Sequence, residues 1–176
     1  MKNVLVLMLL TLSAFAQQEP SPAATAACGP AKAKFEVKLD ESQHALTEPE
    51  AGKALVYFVQ DVGPENCLGA CFTTRISLDG TWVGAVQHNS YFSVSVEPGE
   101  HHVCASPQSR LAPGWSGKYA SVLLAFAHFT AEAGKVYYFR SRIFGNQALF
   151  DLDAIDADQA KYLIASYPLS VSHPKP

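Results

Sequence analysis

The sequence predicts an all-β protein, an antiparallel β-sandwich of the immunoglobulin or transthyretin kind with one short C-terminal helix. Short runs of alternating polar and apolar residues predict half-buried strands. Turn dipeptides such as Asp79-Gly80 and Pro98-Gly99 separate these runs, as in sandwiches and barrels. Charged residues make up 16% of the chain and hydrophobic residues 48%, which suits a compact domain with a real core. We expect seven or eight strands, mostly antiparallel, in two packed sheets.

Residues 75–105 show the strand pattern most clearly. Asp79-Gly80 predicts a tight hairpin, because glycine accepts the positive φ that such turns need. Pro98-Gly99 predicts a second turn, since proline presets one φ and glycine supplies the other. The strands around these turns are 75–78, 82–86, 91–96 and 101–105. Four short strands in about thirty residues predict a meander.

The same stretch resembles a known module. Leu78-Asp79-Gly80 with Val83-Gly84, followed by Pro98-Gly99-Glu100-His101, is similar to the PEGA-type surface module of bacterial envelope proteins. Residues 52–165 as a whole resemble a family of small exported bacterial proteins of unassigned function, with a lipoprotein-like envelope habit. The resemblance implies a β-sandwich domain, and it brings no catalytic residues.

The N-terminus has the features of a secretory signal peptide. Lys2 supplies a positive charge, residues 4–12 are apolar except for one threonine, and Ala14 and Ala16 are small residues at the −3 and −1 positions of a cleavage site. Cleavage is therefore expected before Gln17. The apolar run is too short to span a membrane, which takes about 20 residues.

A lipid-anchored N-terminus at Cys28 is the alternative. Residues 25–28 resemble a lipobox, but they lie well beyond the apolar run, after a linker that contains Pro20 and Pro22. We therefore expect an exported protein, periplasmic or secreted, that carries no lipid. The expected organisation is a signal peptide (1–16), a disordered spacer (17–33), the β-sandwich domain (34–165) and a C-terminal tail (166–176).

The remaining strands follow from composition and alternation. Residues 34–39 alternate and carry outward lysines, which predicts an edge strand. Residues 54–60 are continuously apolar, which predicts a central strand buried on both faces. Residues 121–131 fit a strand or a short helix, and the Ala133-Gly134 turn that follows favours the strand. The last two strands are 135–144, with Phe139 and Ile143 facing the core, and 148–155.

A helix is predicted over residues 156–165. Asp156 or Asp158 can cap its first turn, where acidic side chains suit the helix dipole. Ala160, Leu163 and Ile164 would form its buried side. Residues from Ser166 onward contain three prolines and predict an extended tail on the surface.

The four cysteines are expected to form two disulfides, because an oxidising compartment favours them. Three pairings are possible for four cysteines. The preferred pairing joins Cys67 to Cys71 within one loop and Cys28 to Cys104, which ties the N-terminal segment to a strand. A metal site made of these thiols is the competing interpretation, although the Cys67 and Cys71 spacing differs from the C-x-x-C of redox and zinc motifs.

No standard catalytic or cofactor motif occurs in the sequence. We therefore predict no catalytic residue, no metal and no cofactor. Asp151, Asp153, Asp156 and Asp158 are interpreted as a solvated strand end and a helix cap, with a weak cation site as the alternative. His101 and His102 are adjacent on a strand and so face opposite ways. His88 is interpreted as a polar turn residue, with a metal or proton-switch site near one of these two histidines as the alternative.

The long loop 106–119 is the best candidate for a binding surface. It offers Arg110, Trp115, Lys118 and Tyr119, and aromatic and arginine side chains dominate protein interfaces. An aromatic ring can stack on a sugar or a peptide, and a neighbouring cation can fix an anionic group. The alternative is that Trp115 folds inward and seals the edge of the sandwich.

Two classes of function remain open. The first is a non-catalytic envelope module that binds a protein or glycan partner through its loops. The second is a periplasmic hydrolase whose active site the sequence does not reveal. A formal net charge of −3 and the lack of a basic cluster argue against a nucleic-acid partner. We expect a monomer.

Overall fold

The computed structural model describes residues 28–30, 32–42, 46–62, 73–108, 124–144 and 149–176, and at positions 143, 144 and 149 it describes the backbone alone. The strands are β1 (Phe35–Asp40), β2 (Ala54–Gln60), β3 (Thr73–Leu78), β4 (Thr81–Gln87), β5 (Ser90–Val96), β6 (Gly99–Pro107), β7 (Ala125–Ala131), β8 (Val136–Phe144), β9 (Leu149–Ala154) and β10 (Leu169–Pro174). One helix, α1 (Ala157–Ser166), lies between β9 and β10.

The strands form two sheets. The first has the order β1-β10-β5-β2-β8-β9 and the second the order β4-β3-β6-β7. Two neighbouring pairs in the first sheet, β10 with β5 and β2 with β8, are parallel, and the other pairs are antiparallel. The predicted all-β, sandwich-like fold with one short helix is therefore confirmed. The described residues form ten strands, more than the seven or eight expected.

Strand β2 is the centre of the core. All seven of its residues are buried, as predicted, because each of its faces packs on a different layer. Phe58 packs between Phe92 and Phe139 in the core between the sheets. Tyr57 points to the opposite face, where Leu163 and Ile164 of α1 cover it. Burying such side chains contributes about 1.5–3 kcal/mol each.

The Asp79-Gly80 hairpin forms as predicted. Both residues have positive φ, 50° and 77°, as a two-residue hairpin requires. The predicted meander is wrong, because β5 pairs with β2 and β10 in the other sheet. The chain thus crosses from the second sheet to the first after β4 and returns at Pro98-Gly99. Alternation predicts the strands, but it carries no information about which sheet each one joins.

The C-terminal segment also differs from the prediction of a surface tail. Residues 169–174 form β10, which pairs along its length with β1. Ser170 is buried and its hydroxyl lies 2.7 Å from that of Ser90, while the Ser172 hydroxyl accepts a hydrogen bond from the backbone N–H of Ala85. These partners are distant in sequence, so local composition could not reveal them.

Helix α1 and strand β1 agree with the sequence. The carboxylate of Asp156 accepts hydrogen bonds from the backbone N–H groups of Asp158 and Gln159, which satisfies two groups that a helix start leaves open. The buried residues of the helix are Ala160, Leu163 and Ile164, the three predicted. Strand β1 lies at the edge of its sheet, also as predicted.

Candidate functional site

The sandwich has two different ends. One end, the turn end, carries the tight turns at Asp79-Gly80 and Ala133-Gly134. The other, the loop end, is where β2, β6 and β8 finish and the segments 63–72, 109–123 and 145–148 begin. Pairing shows that these strand ends lie together. Gln60 is opposite Ser90 and beside Ser141, and the Ser90 hydroxyl donates to the carbonyl of Gln87 at the end of β4. In the second sheet, Gln87 is opposite the first residue of β3, and the second residue of β3 is opposite Pro107 at the end of β6. The three segments therefore begin at one end of the sandwich.

The predicted binding residues belong to one of these connections. Arg110, Trp115, Lys118 and Tyr119 lie outside the described residues, so their grouping stays a prediction. The structure describes the two strands between which their segment runs. Strand β6 ends at Pro107 and β7 begins at Ala125, and the two strands pair directly up to Ala105 and Ala125.

A charged cluster occupies the loop end of the first sheet, on the side that carries α1. It consists of Asp61, Arg140, Arg142, Asp153 and Tyr167. The Arg142 guanidinium donates a hydrogen bond to the Asp153 carboxylate at 2.5 Å. Arg140 lies between Asp61 and Asp153, at 3.7 and 3.8 Å. Two guanidinium groups thus balance two carboxylates, and the ion pairs connect the residue after β2 with β8 and β9.

Tyr167 completes this cluster from the corner between α1 and β10. Its hydroxyl donates to the Asp61 carboxylate at 2.8 Å. Burial, together with this hydrogen bond to an anion, raises the pKa of Tyr167 far above its ordinary value. Tyr167 therefore stays neutral and serves as a hydrogen-bond donor across the physiological range.

The acidic run of the sequence divides between two structural roles. Asp153 pairs with arginines in the loop-end cluster, and Asp156 caps α1. This agrees with the interpretation as a strand end and a helix cap. Within the part of the chain that the structure describes, no group of three or more His, Cys, Asp or Glu side chains is placed to hold a metal ion.

Residues 28–30 and 32–35, here called the N-terminal arm, lie across the outer face of the second sheet. Cys28 is joined to Cys104 by a disulfide, with their Cα atoms 5.2 Å apart. The predicted Cys28–Cys104 pairing is thereby confirmed, and both residues are buried. Cys67 and Cys71 lie outside the described residues, so the second pairing stays a prediction.

Side chains of the second sheet hold the N-terminal arm by its backbone. The indole N–H of Trp82 donates to the carbonyl of Pro30 at 2.8 Å, and the Arg75 guanidinium donates to that of Ala33. The side-chain amide of Gln108 bonds both the N–H and the carbonyl of Phe35, at 2.6 Å each. Because these contacts use backbone groups, the composition of the arm gave no sign of them.

Arg75 is the buried charge beneath this arm. Its guanidinium stacks 4.4 Å from the centre of the Trp82 ring and also bonds the hydroxyl of Ser106. Burial lowers the pKa of Arg75, but an arginine stays charged even so. The hydrogen bonds and the aromatic face together compensate part of the cost of removing this charge from water.

Gly29 fixes where the N-terminal arm begins. Its φ is +84°, and a Cβ built on it would collide with the carbonyl oxygen of Gly80. Only glycine therefore fits both the backbone conformation and the close approach. Since Gly80 belongs to the Asp79-Gly80 turn, the N-terminal arm begins near the turn end of the sandwich, away from the loop end.

The histidines do not form the site that the sequence left open. His88, with φ 55°, follows β4 at the loop end, whereas His101 contacts Asp79 at the turn end. The alternative that placed His88 beside His101 or His102 is therefore wrong. The interpretation of His88 as a turn residue agrees with its position between β4 and β5.

No helix in the described ranges is long and apolar enough to cross a membrane.

Comparison with known proteins shows the family of this chain. The chain belongs to the family described as "Protein of unknown function (DUF2846)", which matches residues 50–151. That range reaches from just before β2 into β9, so it excludes the N-terminal arm, α1 and β10.

No curated protein matches the chain. Among solved structures, the chain is similar to one titled "NMR structure of the protein from Eubacterium rectale", at 14% identity, over 61% of this chain and 92% of that chain, with a TM-score of 0.37.

Proposed function

We propose that this protein is a non-catalytic, exported envelope module that binds a protein or glycan partner through the 106–119 loop. The observation that carries the proposal is the position of the N-terminal arm. Gly29 lies against Gly80 and so places the start of the arm at the turn end, and the disulfide to Cys104 fixes that start to the second sheet. A spacer that leads from there to the envelope would leave the loop end, and with it the 106–119 loop, facing away.

The chemistry of the chain supports export. A buried disulfide is typical of proteins that fold in an oxidising compartment, and the first 16 residues have the pattern of a secretory signal. The resemblance of two turn motifs, Leu78-Asp79-Gly80 and Pro98-Gly99-Glu100-His101, to the PEGA-type module supports an envelope role. The two motifs lie in β3–β4 and at the start of β6, on the rigid sheet that also carries the start of the 106–119 loop.

The choice of the 106–119 loop as the binding surface follows from the different roles of strands and loops in a β-sandwich. Strands supply a scaffold, and the connections between them vary without breaking the backbone ladders. The predicted 106–119 loop overlaps the end of β6 at residues 106 and 107, and its Gln108 side chain bonds the backbone of Phe35 in the N-terminal arm. The start of the loop is therefore fixed to the N-terminal arm at Gln108, which would reduce the entropy lost when a partner is bound.

The test is a binding assay with Trp115→Ala, with Tyr162→Ala as the control. Tyr162 is 73% exposed on α1, so its loss removes an exposed aromatic ring away from the 106–119 loop. The labelled protein is applied to an array of soluble cell-wall glycan fragments, and in parallel crosslinked to solubilised envelope proteins. We expect Trp115→Ala alone to lose binding, by about tenfold or more, with an unchanged melting temperature.

Two results would contradict the proposal. If Trp115→Ala is destabilised by about 3–5 kcal/mol, as loss of a buried tryptophan would cause, then Trp115 is core and the binding surface is misplaced. If the wild-type protein turns over substrates in a panel of hydrolase assays, the protein is an enzyme, and the binding module is the wrong class.

A further inference from the structure

His102 and His128 face each other across the β6–β7 ladder. They are direct partners in the antiparallel register, and their rings are 6.5 Å apart between centres. Both side chains are exposed, on the outer face of the second sheet. Residues 108–124 separate β6 from β7 in the sequence, so no short-range pattern linked the two histidines.

The neighbouring histidine, His101, has a different role and is not part of this pair. His101 points to the other side of β6, where both of its ring nitrogens are within 2.7 Å of oxygen atoms, one from Asp79 and one from the Glu97 carbonyl. His102 has no such side-chain bond among the described residues. Two exposed imidazoles that face each other on adjacent strands have the composition of a bidentate metal ligand.

The geometry needs only a small adjustment. Imidazole nitrogens bind Zn²⁺ at about 2.0–2.1 Å, so two rings on one tetrahedral ion have centres about 5 Å apart. Closing the present 6.5 Å to that distance takes side-chain rotation alone, and exposed side chains rotate within nanoseconds. Opposed Cβ atoms in an antiparallel pair are already about 4.5–5.5 Å apart.

We infer that His102 and His128 form a surface site for a divalent cation of the Zn²⁺, Cu²⁺ and Ni²⁺ class, with water completing the coordination. Imidazole is a ligand that these ions favour over Mg²⁺ or Ca²⁺. Glu100 lies on the same face of β6, two residues from His102, opposite Thr130, and its negative charge favours cation capture. A bound ion would crosslink β6 to β7, the two strands that the 106–119 loop connects.

The experiment titrates Zn²⁺ alone into the purified protein, which carries no polyhistidine tag, and measures the heat of binding. We expect one ion per chain, and an affinity about tenfold or more weaker in each of His102→Ala and His128→Ala. His173→Ala is the control, because His173 is an exposed histidine on β10, and its loss should leave the affinity unchanged.

A second measurement guards against variants that merely unfold. Imidazole NMR signals of the wild-type protein should shift on Zn²⁺ addition at His102 and His128 before those of the other four histidines. Equal affinity in wild type and His128→Ala would overturn the inference. So would the absence of binding at millimolar Zn²⁺, or first shifts at other histidines.

Discussion

His101 donates a ring N–H to the carboxylate of Asp79, with Nδ1 and Oδ2 2.7 Å apart, and thereby ties the β3–β4 turn to β6. The second ring nitrogen lies 2.7 Å from the Glu97 carbonyl. Because both neighbours are acceptors, the geometry is best satisfied by an imidazolium with both nitrogens protonated. Asp79 also accepts from the backbone N–H of His102, so one carboxylate closes the turn twice.

This pair should make stability depend on pH. Burial lowers the pKa of His101, but the hydrogen bonds to Glu97 and Asp79 outweigh it, so the pKa is raised overall. For Asp79, burial acts to raise the pKa, and the bonds from His102 and His101 lower it overall. The contribution of His101 to stability is full below about pH 6.5 and is lost as the pH rises through its raised pKa. The contribution of Asp79 to stability is full above about pH 3.9 and is lost as the pH falls through its lowered pKa.

His101→Gln should therefore be less stable than wild type mainly between about pH 4 and pH 6.5. Since Asp79 is half exposed, the difference should be about 1 kcal/mol or less. Urea unfolding at a series of pH values measures it, with His173→Gln as the control. A difference that is constant with pH would mean that His101 acts by packing on Phe129 and not by charge.

Gly29→Ala should destabilise the protein by about 2 kcal/mol or more, because it adds a clash with Gly80 to the strain of positive φ. Gly52→Ala is the matched control, since Gly52 has nearly the same φ, +82°, but nothing beyond its chain neighbours lies within 4 Å of the position that a Cβ would take. Its expected cost is the backbone strain alone, about 1 kcal/mol. Thermal unfolding of the two variants measures both losses of stability. Equal losses would show that the N-terminal arm does not contact the Asp79-Gly80 turn.

Removing the Cys28–Cys104 disulfide should cost more stability than removing the predicted Cys67–Cys71 bridge. The first closes a loop with a sequence separation of 76, for which the chain-entropy relation gives about 4–5 kcal/mol, while a loop of about five residues gives about 2 kcal/mol. Denaturant unfolding of the two double serine variants compares them. A smaller loss for Cys28→Ser/Cys104→Ser would mean that the N-terminal arm adds little to the fold.

Local signals predicted local structure well. The Asp79-Gly80 turn, the cap at Asp156 and the buried run of β2 each depend on residues within a few positions, and each is present as expected. The features that escaped prediction depend on distant partners. The sequence of residues 169–174 predicts a tail, and only the contact between Ser170 and Ser90 shows that the segment is part of the sandwich. Likewise, only the register of β6 and β7 shows that His128 lies opposite His102.

The same limit applies to the sites. The Cys28–Cys104 bridge was predictable because four cysteines allow only three pairings, and Cys67 and Cys71 lie close together in the sequence. The hold of Trp82 and Gln108 on the N-terminal arm was not, because it acts on backbone groups that every residue carries. Arg140 and Asp153 were visible as charges, but only the β8–β9 pairing brings them together.

The most direct test of an exported module held by its N-terminal arm is mass spectrometry of the non-reduced protein recovered from the envelope of expressing cells. We expect a chain that begins at Gln17, with a peptide containing Cys28 linked to one containing Cys104. We also expect a bridge between Cys67 and Cys71. A chain that retains Met1 and has four free thiols would contradict export and the disulfide together. A chain that begins at a lipid-modified Cys28, whose sulfur could not then bond to Cys104, would contradict both the cleavage site and the disulfide.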